Sequence, residues 1–387
     1  MRILVVPKWY PWPDQPVWGI FCREHAAALA TRHDVVVLAS LATPDPGFGL
    51  YELTDEVEDG LRTLRVRYRR PRLRPLALVC QLLGMAVAIR RLRGEGWRPD
   101  IVHAHVYSAA LPALAIGLVS RARVAVTEHY TGFARGLITG YERSLARFAF
   151  ERADVVAPVS DELAGHLRRI APRARMVTVA NVVDTEAFEP AARAHPPRGA
   201  PRLLNVGALA EKKGHVHLLE AMTQLEGAHL DIVGDGELRG DLERRAGELG
   251  LEDRVRFLGE RPKQEVARLM READLFVLSS LAENLPVVLI EAMASGLPSV
   301  ATWVGGVPEM LDEESGCLAE PGDPHALAQA VRCALDTTFD SRAMAARAGE
   351  RYSYEAISGR WTEIYEELLS SRGRRSSATR RRTSPSS

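Results

Sequence analysis

The chain has 387 residues, 46% of them hydrophobic, and its 50 Lys and Arg offset its 50 Asp and Glu to a formal net charge of +0. That length suits two domains of ordinary size, and the even charge excludes the global basic field that nucleic-acid binding would need. Cys22, Cys80, Cys317 and Cys333 are scattered without metal or redox spacing and read as cytoplasmic thiols, no apolar run approaches the ~20 residues of a membrane span, and the first six residues meet a proline, not the h-region of a secretory signal.

In chain order, residues 3–6 read as a buried strand that runs into the stiff, proline-rich loop 7–13. Gly19 then precedes a helix over 20–31 with apolar positions at Phe21, Ala28 and Leu29, and a second strand covers 34–40. Strand, glycine loop, helix, strand is how a doubly wound parallel sheet begins. Gly19 stands either where backbone approaches a ligand or at a simple turn. Residues 62–74 hold seven Arg and no acid, followed by an apolar stretch over 76–89 and then Arg90, Arg91 and Arg93. A strand with solvated Arg before a core helix fits this pattern, and so does a basic rim beside a helix resting on anionic lipid.

Residues 100–105 form another strand, whose alternation puts His103 and His105 on one face. No third metal ligand is evident beside them, so packed or hydrogen-bonded histidines are expected. The strand 124–127 ends in Glu128-His129-Tyr130-Thr131-Gly132, and the carboxyl end of a parallel strand is where α/β folds bind ligands. Residues 151–160 read as a strand ending in a cap, with Asp161 and Glu162 opening the next helix. A last strand of this half is expected over 176–180, and a Pro- and Ala-rich linker over 190–201.

The second half opens with a strand over 202–206, a loop bounded by Gly207 and Gly214, and a helix from His215 to Met222. Lys212 and Lys213 lie just before that helix, where lysine gives a point charge to a pyrophosphate. Strands over 230–233 and 254–258, each followed by glycine, continue a second doubly wound pattern. The apolar run 273–278 is a buried strand. A loop over 279–285 follows, Pro286 suits the first turn of a helix over 287–295, and Gly296-Leu297-Pro298 stops it. Such a strand–loop–helix, here turning through Asn284, Leu285 and Pro286, aims the free N–H groups of its non-proline residues at an anion above the sheet, and these three residues are expected to bind the donor. Glu283 lies in the loop, and Glu291 about one and a half turns into the helix, placed to accept hydrogen bonds from ribose hydroxyls. The combination points to a nucleotide diphosphate carrying a sugar at each end. Tyr354, Ile357, Trp361, Ile364, Tyr365 and Leu368 recur at helical spacing over 352–369, and residues 370–387, with six Arg and no acid, read as a disordered basic tail.

Glu283-x7-Glu291, followed by Ala292-Met293-Ala294-Ser295-Gly296-Leu297-Pro298 and by Gly305-Gly306-Val307-Pro308-Glu309, resembles the C-terminal signature of the retaining glycosyltransferases of family four. The opening Trp9-Tyr10-Pro11 with Gly19-Ile20-Phe21-x-Arg23-Glu24 resembles the start of the same enzymes, particularly those that build cell-surface polysaccharides. The resemblance covers about residues 1–370. It implies an α/β protein of the GT-B fold, two Rossmann-like domains with parallel sheets facing across a cleft. The acceptor domain would span 1–190, with helix 352–369 packing back on it, and the nucleotide-sugar domain 200–351.

The same resemblance implies transfer of a sugar from a nucleotide-diphosphate donor to a glycan or lipid-linked acceptor, with retained configuration and with no metal or cofactor beyond the donor. His129, Lys213 and Glu283 take the catalytic roles in that picture, and Gly19, Gly207, Lys212, Asn284, Leu285, Pro286 and Glu291 bind the donor. The implied location is cytoplasmic or peripheral at the inner face of the membrane, touching anionic lipid and no nucleic acid. The chain departs from the family at Ala208, where an Arg usually follows the first glycine, at Val182, where glycine usually follows Asn181, and at Trp18, where many members have a second glycine. Ala208 keeps open the alternative of a non-catalytic nucleotide-sugar-binding subunit, and a GT-B sugar-nucleotide epimerase is the other alternative.

Overall fold

Runs of β-branched and leucine residues bury on both faces only inside a parallel sheet, and the computed structural model places them there. It describes residues 1–15, 17–43, 47, 49–70, 74–191 and 199–381, excluding the side chains of 74, 75, 77 and 372–381. The first sheet contains β1 (Arg2–Pro7), β2 (Asp34–Thr43), β3 (Tyr51–Glu58), β4 (Leu61–Arg69), β5 (Ile101–His105), β6 (Arg123–Glu128) and β7 (Val155–Pro158). Its helices are α1 (Ile20–Ala30), α2 (Arg74–Gly94), α3 (Tyr107–Ser120), α4 (Gly140–Arg152) and α5 (Asp161–Ile170). The second sheet contains β8 (Arg202–Val206), β9 (His229–Val233), β10 (Val255–Gly259), β11 (Leu275–Leu278), β12 (Ser299–Thr302) and β13 (Gly316–Ala319). Around it lie α6 (His215–Met222), α7 (Arg239–Glu248), α8 (Lys263–Glu272), α9 (Val287–Ala294), α10 (Pro324–Asp336) and α11 (Ser341–Tyr352). The helix α12 (Tyr354–Arg381) ends the described chain.

The strand orders are β3-β4-β2-β1-β5-β6-β7 and β10-β9-β8-β11-β12-β13. Leaving β3 aside, both sheets are parallel and both follow the 3-2-1-4-5-6 order of a doubly wound dinucleotide fold. The order reverses between β1 and β5 in the first sheet and between β8 and β11 in the second, and ligands bind outside the strand ends at such points. The loops that follow β1, β8 and β11 are therefore the ones to watch. Two α/β layers of GT-B type, as expected, frame them.

Several expectations change, among them the strand read over 151–160, which shortens to Val155–Pro158 because Glu151 and Arg152 close α4. The segment 176–180 makes no strand: it runs beside β7 with a single bridge at Met176, and its bonds are the Val177 and Val179 N–H groups donating to Val156 and Pro158. Within the Arg-rich stretch, β4 is half of an antiparallel hairpin with the acidic β3, Arg69 and Arg70 stay exposed, and residues 71–73 lie outside the described ones. Arg62 grips Asp55 through two bonds of 2.9 and 2.7 Å. Arg65 is only 4% exposed, pairs with Glu56 and Glu58, and lies over the rings of Tyr10 and Trp12.

The last helix crosses to the first sheet. Ile357, Trp361, Ile364, Tyr365 and Leu368 share a core with Ile3, Val5, Leu29 and Val37. The helix continues through Arg381, past the Leu369 end read from the sequence, and residues 382–387 of the expected tail lie outside the described ones. So does the 192–198 part of the expected linker.

Candidate active site

Gly214 is where the second sheet assembles its site. It adopts φ +63°, and a Cβ there would stand 2.1 Å from the Ser279 carbonyl oxygen, so only glycine lets the loop after β8 touch the loop after β11. The Leu281 N–H donates to the Lys212 carbonyl at 2.7 Å and the Ser279 hydroxyl to the Lys213 carbonyl at 3.0 Å. Held this way, Lys213 donates to Glu283 Oε1 at 2.6 Å, and the Ser280 hydroxyl donates to the same oxygen at 2.7 Å. Burial pushes the Glu283 carboxyl up, but Lys213, Ser280 and the Lys212 charge outweigh it and hold it below the ordinary carboxylate range. Burial also lowers the Lys212 ammonium. Gly207 flanks the Lys213 stem, where a Cβ would lie 3.7 Å from Cε. Ala208 is exposed and brings no charge.

The first sheet contributes imidazoles. His105 and His129 stack with centroids 5.3 Å apart and planes 11° apart, His103 stacks on His105 at 4.6 Å, and His25 meets His105 and His129 edge-on. His105 Nδ1 and His129 Nε2 are 3.0 Å apart, and His129 Nδ1 lies 2.9 Å from Asn181 Oδ1. Burial lowers all four rings, His25 to about 4 and the others well below their ordinary value, so the stack is neutral at pH 7. Glu128, fully buried, accepts the N–H groups of Tyr107, His129 and Tyr130 at 2.8 to 2.9 Å. It thus shapes the turn that carries His129, and burial pushes its carboxyl up to about 7 against those bonds.

Cys22, His105 and His129 bring ligand atoms within 4.8 Å of one another, a cluster that strand alternation alone did not reveal. It does not fit a metal as arranged. The stacked rings hold their nitrogens in parallel planes, and His129 Nε2 is already bonded to His105, so convergence on one tetrahedral ion would require both rings to turn.

The two halves meet at a cleft of about 400 Å³ whose lining includes Trp9, Phe21, His129, Tyr130, Asn181, Lys212, Lys213, Glu283 and the segment from Asn284 to Val288. Asn284 Nδ2 donates to the His129 carbonyl at 2.7 Å and Asn181 Nδ2 to the Leu285 carbonyl at 2.6 Å. Glu309 accepts the N–H groups of Asp161 and Glu162, each at 2.9 Å, at the start of α5. Lys263 on α8 pairs with Glu24 on α1 at 2.9 Å.

Of the residues expected from the sequence, His129, Lys212, Lys213, Glu283, Asn284, Leu285 and Pro286 line this one cleft, and Gly19, Gly207 and Glu291 do not. Gly19, at φ +73°, has the backbone of Trp9 and Tyr10 where a Cβ would be, so only glycine lets the loop after β1 fold onto itself there. Glu291, half-buried, is influenced by Lys263 and Glu24, and burial pushes its carboxyl up to about 7. Both ring nitrogens of His129 are engaged within the first half. The cleft also recruits Asn181, named from the sequence only as the residue before Val182. Trp9, by contrast, had a signal in its rigid aromatic loop.

Residues 19–187 match the family model described as Glycosyltransferase Family 4, and residues 200–337 the one described as Glycosyl transferases group 1. The chain is 26% identical to the glycogen synthase of Mycobacterium tuberculosis over 97% of its own length and 96% of that protein. It is 30% identical to N-acetyl-alpha-D-glucosaminyl L-malate synthase of Bacillus anthracis over 70% and 75%. With the putative colanic acid biosynthesis glycosyltransferase WcaL of Escherichia coli it is 31% identical over 62% and 63%. The crystal structure of Anabaena HepE in complex with UDP-glucose superposes with a TM-score of 0.72 at 20% identity, covering 96% of this chain and all of that one. Two doubly wound sheets, a cleft at their switch points and these likenesses make the chain a GT-B glycosyltransferase that belongs to family four.

Proposed function

We propose that the protein transfers a sugar from a nucleotide-diphosphate donor to an acceptor hydroxyl, retaining the anomeric configuration and using no metal. The observation that carries this is the Lys213–Glu283 pair, reinforced by Lys212, at the switch point of the second sheet. A diphosphate entering the cleft would compete with Glu283 for the Lys213 ammonium. The N–H groups at the start of α9 would face the same phosphate oxygens. Lys212 and Lys213 would then stabilise the charge that develops on the leaving group, the part a metal plays elsewhere. Lys212 also brings a second cation to the cleft, which Ala208 does not. Glu283, released from Lys213, becomes an acceptor for hydroxyls of the transferred sugar. The departing phosphate takes the proton of the acceptor hydroxyl. Glu291, beyond the lined cleft on α9, receives the ribose hydroxyls.

The acceptor we infer is a growing glycan or a lipid-linked saccharide in envelope or exopolysaccharide synthesis. The names of the relatives support a polysaccharide product. A lipid-facing approach is supported by α2, whose Leu76, Leu78, Val79 and Leu83 are each 41 to 49% exposed, with Arg90 exposed on the same helix. No helix among the described residues is long and apolar enough to cross a membrane. The test is turnover of UDP-, GDP- and ADP-sugars on oligosaccharide and lipid-linked acceptors, with and without chelator, and the product's anomeric configuration read by NMR. An inverted product, or a rate abolished by chelation, would overturn the mechanism.

A further inference from the structure

We infer that Asn181 is a positioning residue: it fixes His129 and His105 as their Nδ1–H tautomers and ties that state to the approach of the Leu285 loop. The inference rests on the reading of this cleft as the transfer site only for its catalytic consequence. Its structural content follows from which groups can donate.

A backbone carbonyl only accepts hydrogen bonds. The Asn181 atom 2.6 Å from the Leu285 carbonyl oxygen is therefore its NH2 group, and the other end of the amide, facing His129, is oxygen. That oxygen in turn only accepts, so His129 Nδ1, 2.9 Å away, carries a proton. The ring is neutral, so its Nε2 is a bare lone pair. His105 Nδ1, 3.0 Å from that lone pair, must donate to it. His105 is neutral too, and its Nε2, buried without a hydrogen-bond partner, ends the chain as a second lone pair. One carbonyl thus sets the protonation of two rings in succession, by the rule that the bond at one imidazole nitrogen decides the state of the other.

Leu285 belongs to the second half of the molecule, and 104 positions separate it from Asn181. Its carbonyl orients the amide only while the loop before α9 lies against the first half. When that loop withdraws, the amide is free to flip, and a flipped amide donates to His129 and reverses both tautomers. The stack beside the reacting sugar therefore registers whether the cleft is shut. Asn181 touches no reacting atom in this arrangement. It acts through His129.

The test is the full chain carrying 15N-histidine, with ring nitrogens read by two-bond 1H–15N correlation and His105 and His129 assigned by single substitutions. Both rings should report the Nδ1–H form in the unsubstituted protein, and a His129 ring in the Nε2–H form overturns the inference without any variant or activity. Asn181→Asp keeps an acceptor for His129 and loses the donor to Leu285. It should retain the His129 tautomer while kcat falls at least tenfold with donor KM moved less, because shutting the cleft and not holding the donor is affected. Asn181→Leu should lose the tautomer as well, and an unchanged His129 ring in that variant would likewise overturn the assignment. A protein that shows the tautomers but turns over no donor would leave the assignment of Asn181 intact and defeat the transfer reading instead.

Discussion

Replacing Lys213 with methionine keeps most of the aliphatic stem beside Gly207 and removes the charge. The Lys213 and Glu283 side chains are 15% and 7% exposed, with 2.6 Å between nitrogen and oxygen. Deleting one partner of such a buried pair costs about 3–5 kcal/mol. Here Ser280 and Lys212 still face Glu283, and its carboxyl can take up a proton, so we expect a loss nearer ~2–3 kcal/mol at pH 7. The pH dependence tests the cause. In the native chain the Glu283 carboxyl lies below its ordinary value, so it contributes stability above about pH 4.3 that is lost as pH falls through the folded pKa. Without Lys213 burial dominates, and the folded carboxyl rises above its unfolded value. Its contribution is then fullest at acid pH and is lost as pH rises through the raised pKa. Thermal melting of both proteins between pH 4 and pH 8 should show a gap that widens with pH. Transfer should slow by about 10²- to 10³-fold in kcat, the usual cost of one lost stabiliser of developing charge, with donor binding changed less. A gap independent of pH would refute the buried-pair account, and a kcat within about threefold of native would remove Lys213 from the leaving group.

Glu291→Ala is expected to weaken donor binding by about 1–3 kcal/mol, the cost of leaving ribose hydroxyls unpaired. Because burial sets the Glu291 carboxyl at about 7, and only the carboxylate accepts from both hydroxyls, native affinity by calorimetry should strengthen from pH 6 to pH 8; a flat profile would sink that role. Gly214→Ala puts a Cβ against the Ser279 carbonyl at φ +63°, and should destabilise by more than about 1 kcal/mol while parting Lys213 from Glu283, so a variant that melts and turns over like the native chain would disprove the close approach. Trp361→Ala empties a fully buried site between α12 and the first sheet and should lower the chemical-denaturation free energy of that half by about 3–5 kcal/mol; a change below about 1 kcal/mol would mean that α12 is not seated there.

The parallel sheets were legible because their strands, such as Leu275–Leu278, are short apolar runs bounded by glycine loops. β3 was not, because it is an edge strand with alternate residues exposed, recognisable only once its acids are seen opposite the Arg of β4. The segment at 176–180 has a strand's alternation but lacks a ladder, and alternation cannot tell the two apart. In the site, Lys213 and Glu283 were readable from residue type and glycine spacing. Glu291 lies on α9 as expected, but on a helix whose Leu289, Ile290, Ala292 and Met293 are buried it is not among the residues lining the cleft, which spacing alone could not tell. The engagement of Asn181 had no signal at all, since both its partners are set by tertiary structure.

Glu309 reaches from the second half to the first two amides of α5, beside that helix's own Ser160 cap. Those amides have no partner inside the helix, and supplying one is worth about 1 kcal/mol per contact in typical helices. A swing that carried Glu309 away would leave α5 its Ser160 cap but strip the acceptor from its first two amides, so this contact favours the arrangement seen here. Any opening of the cleft would have to break that contact first, and so would carry a cost set by a glutamate outside the cleft lining.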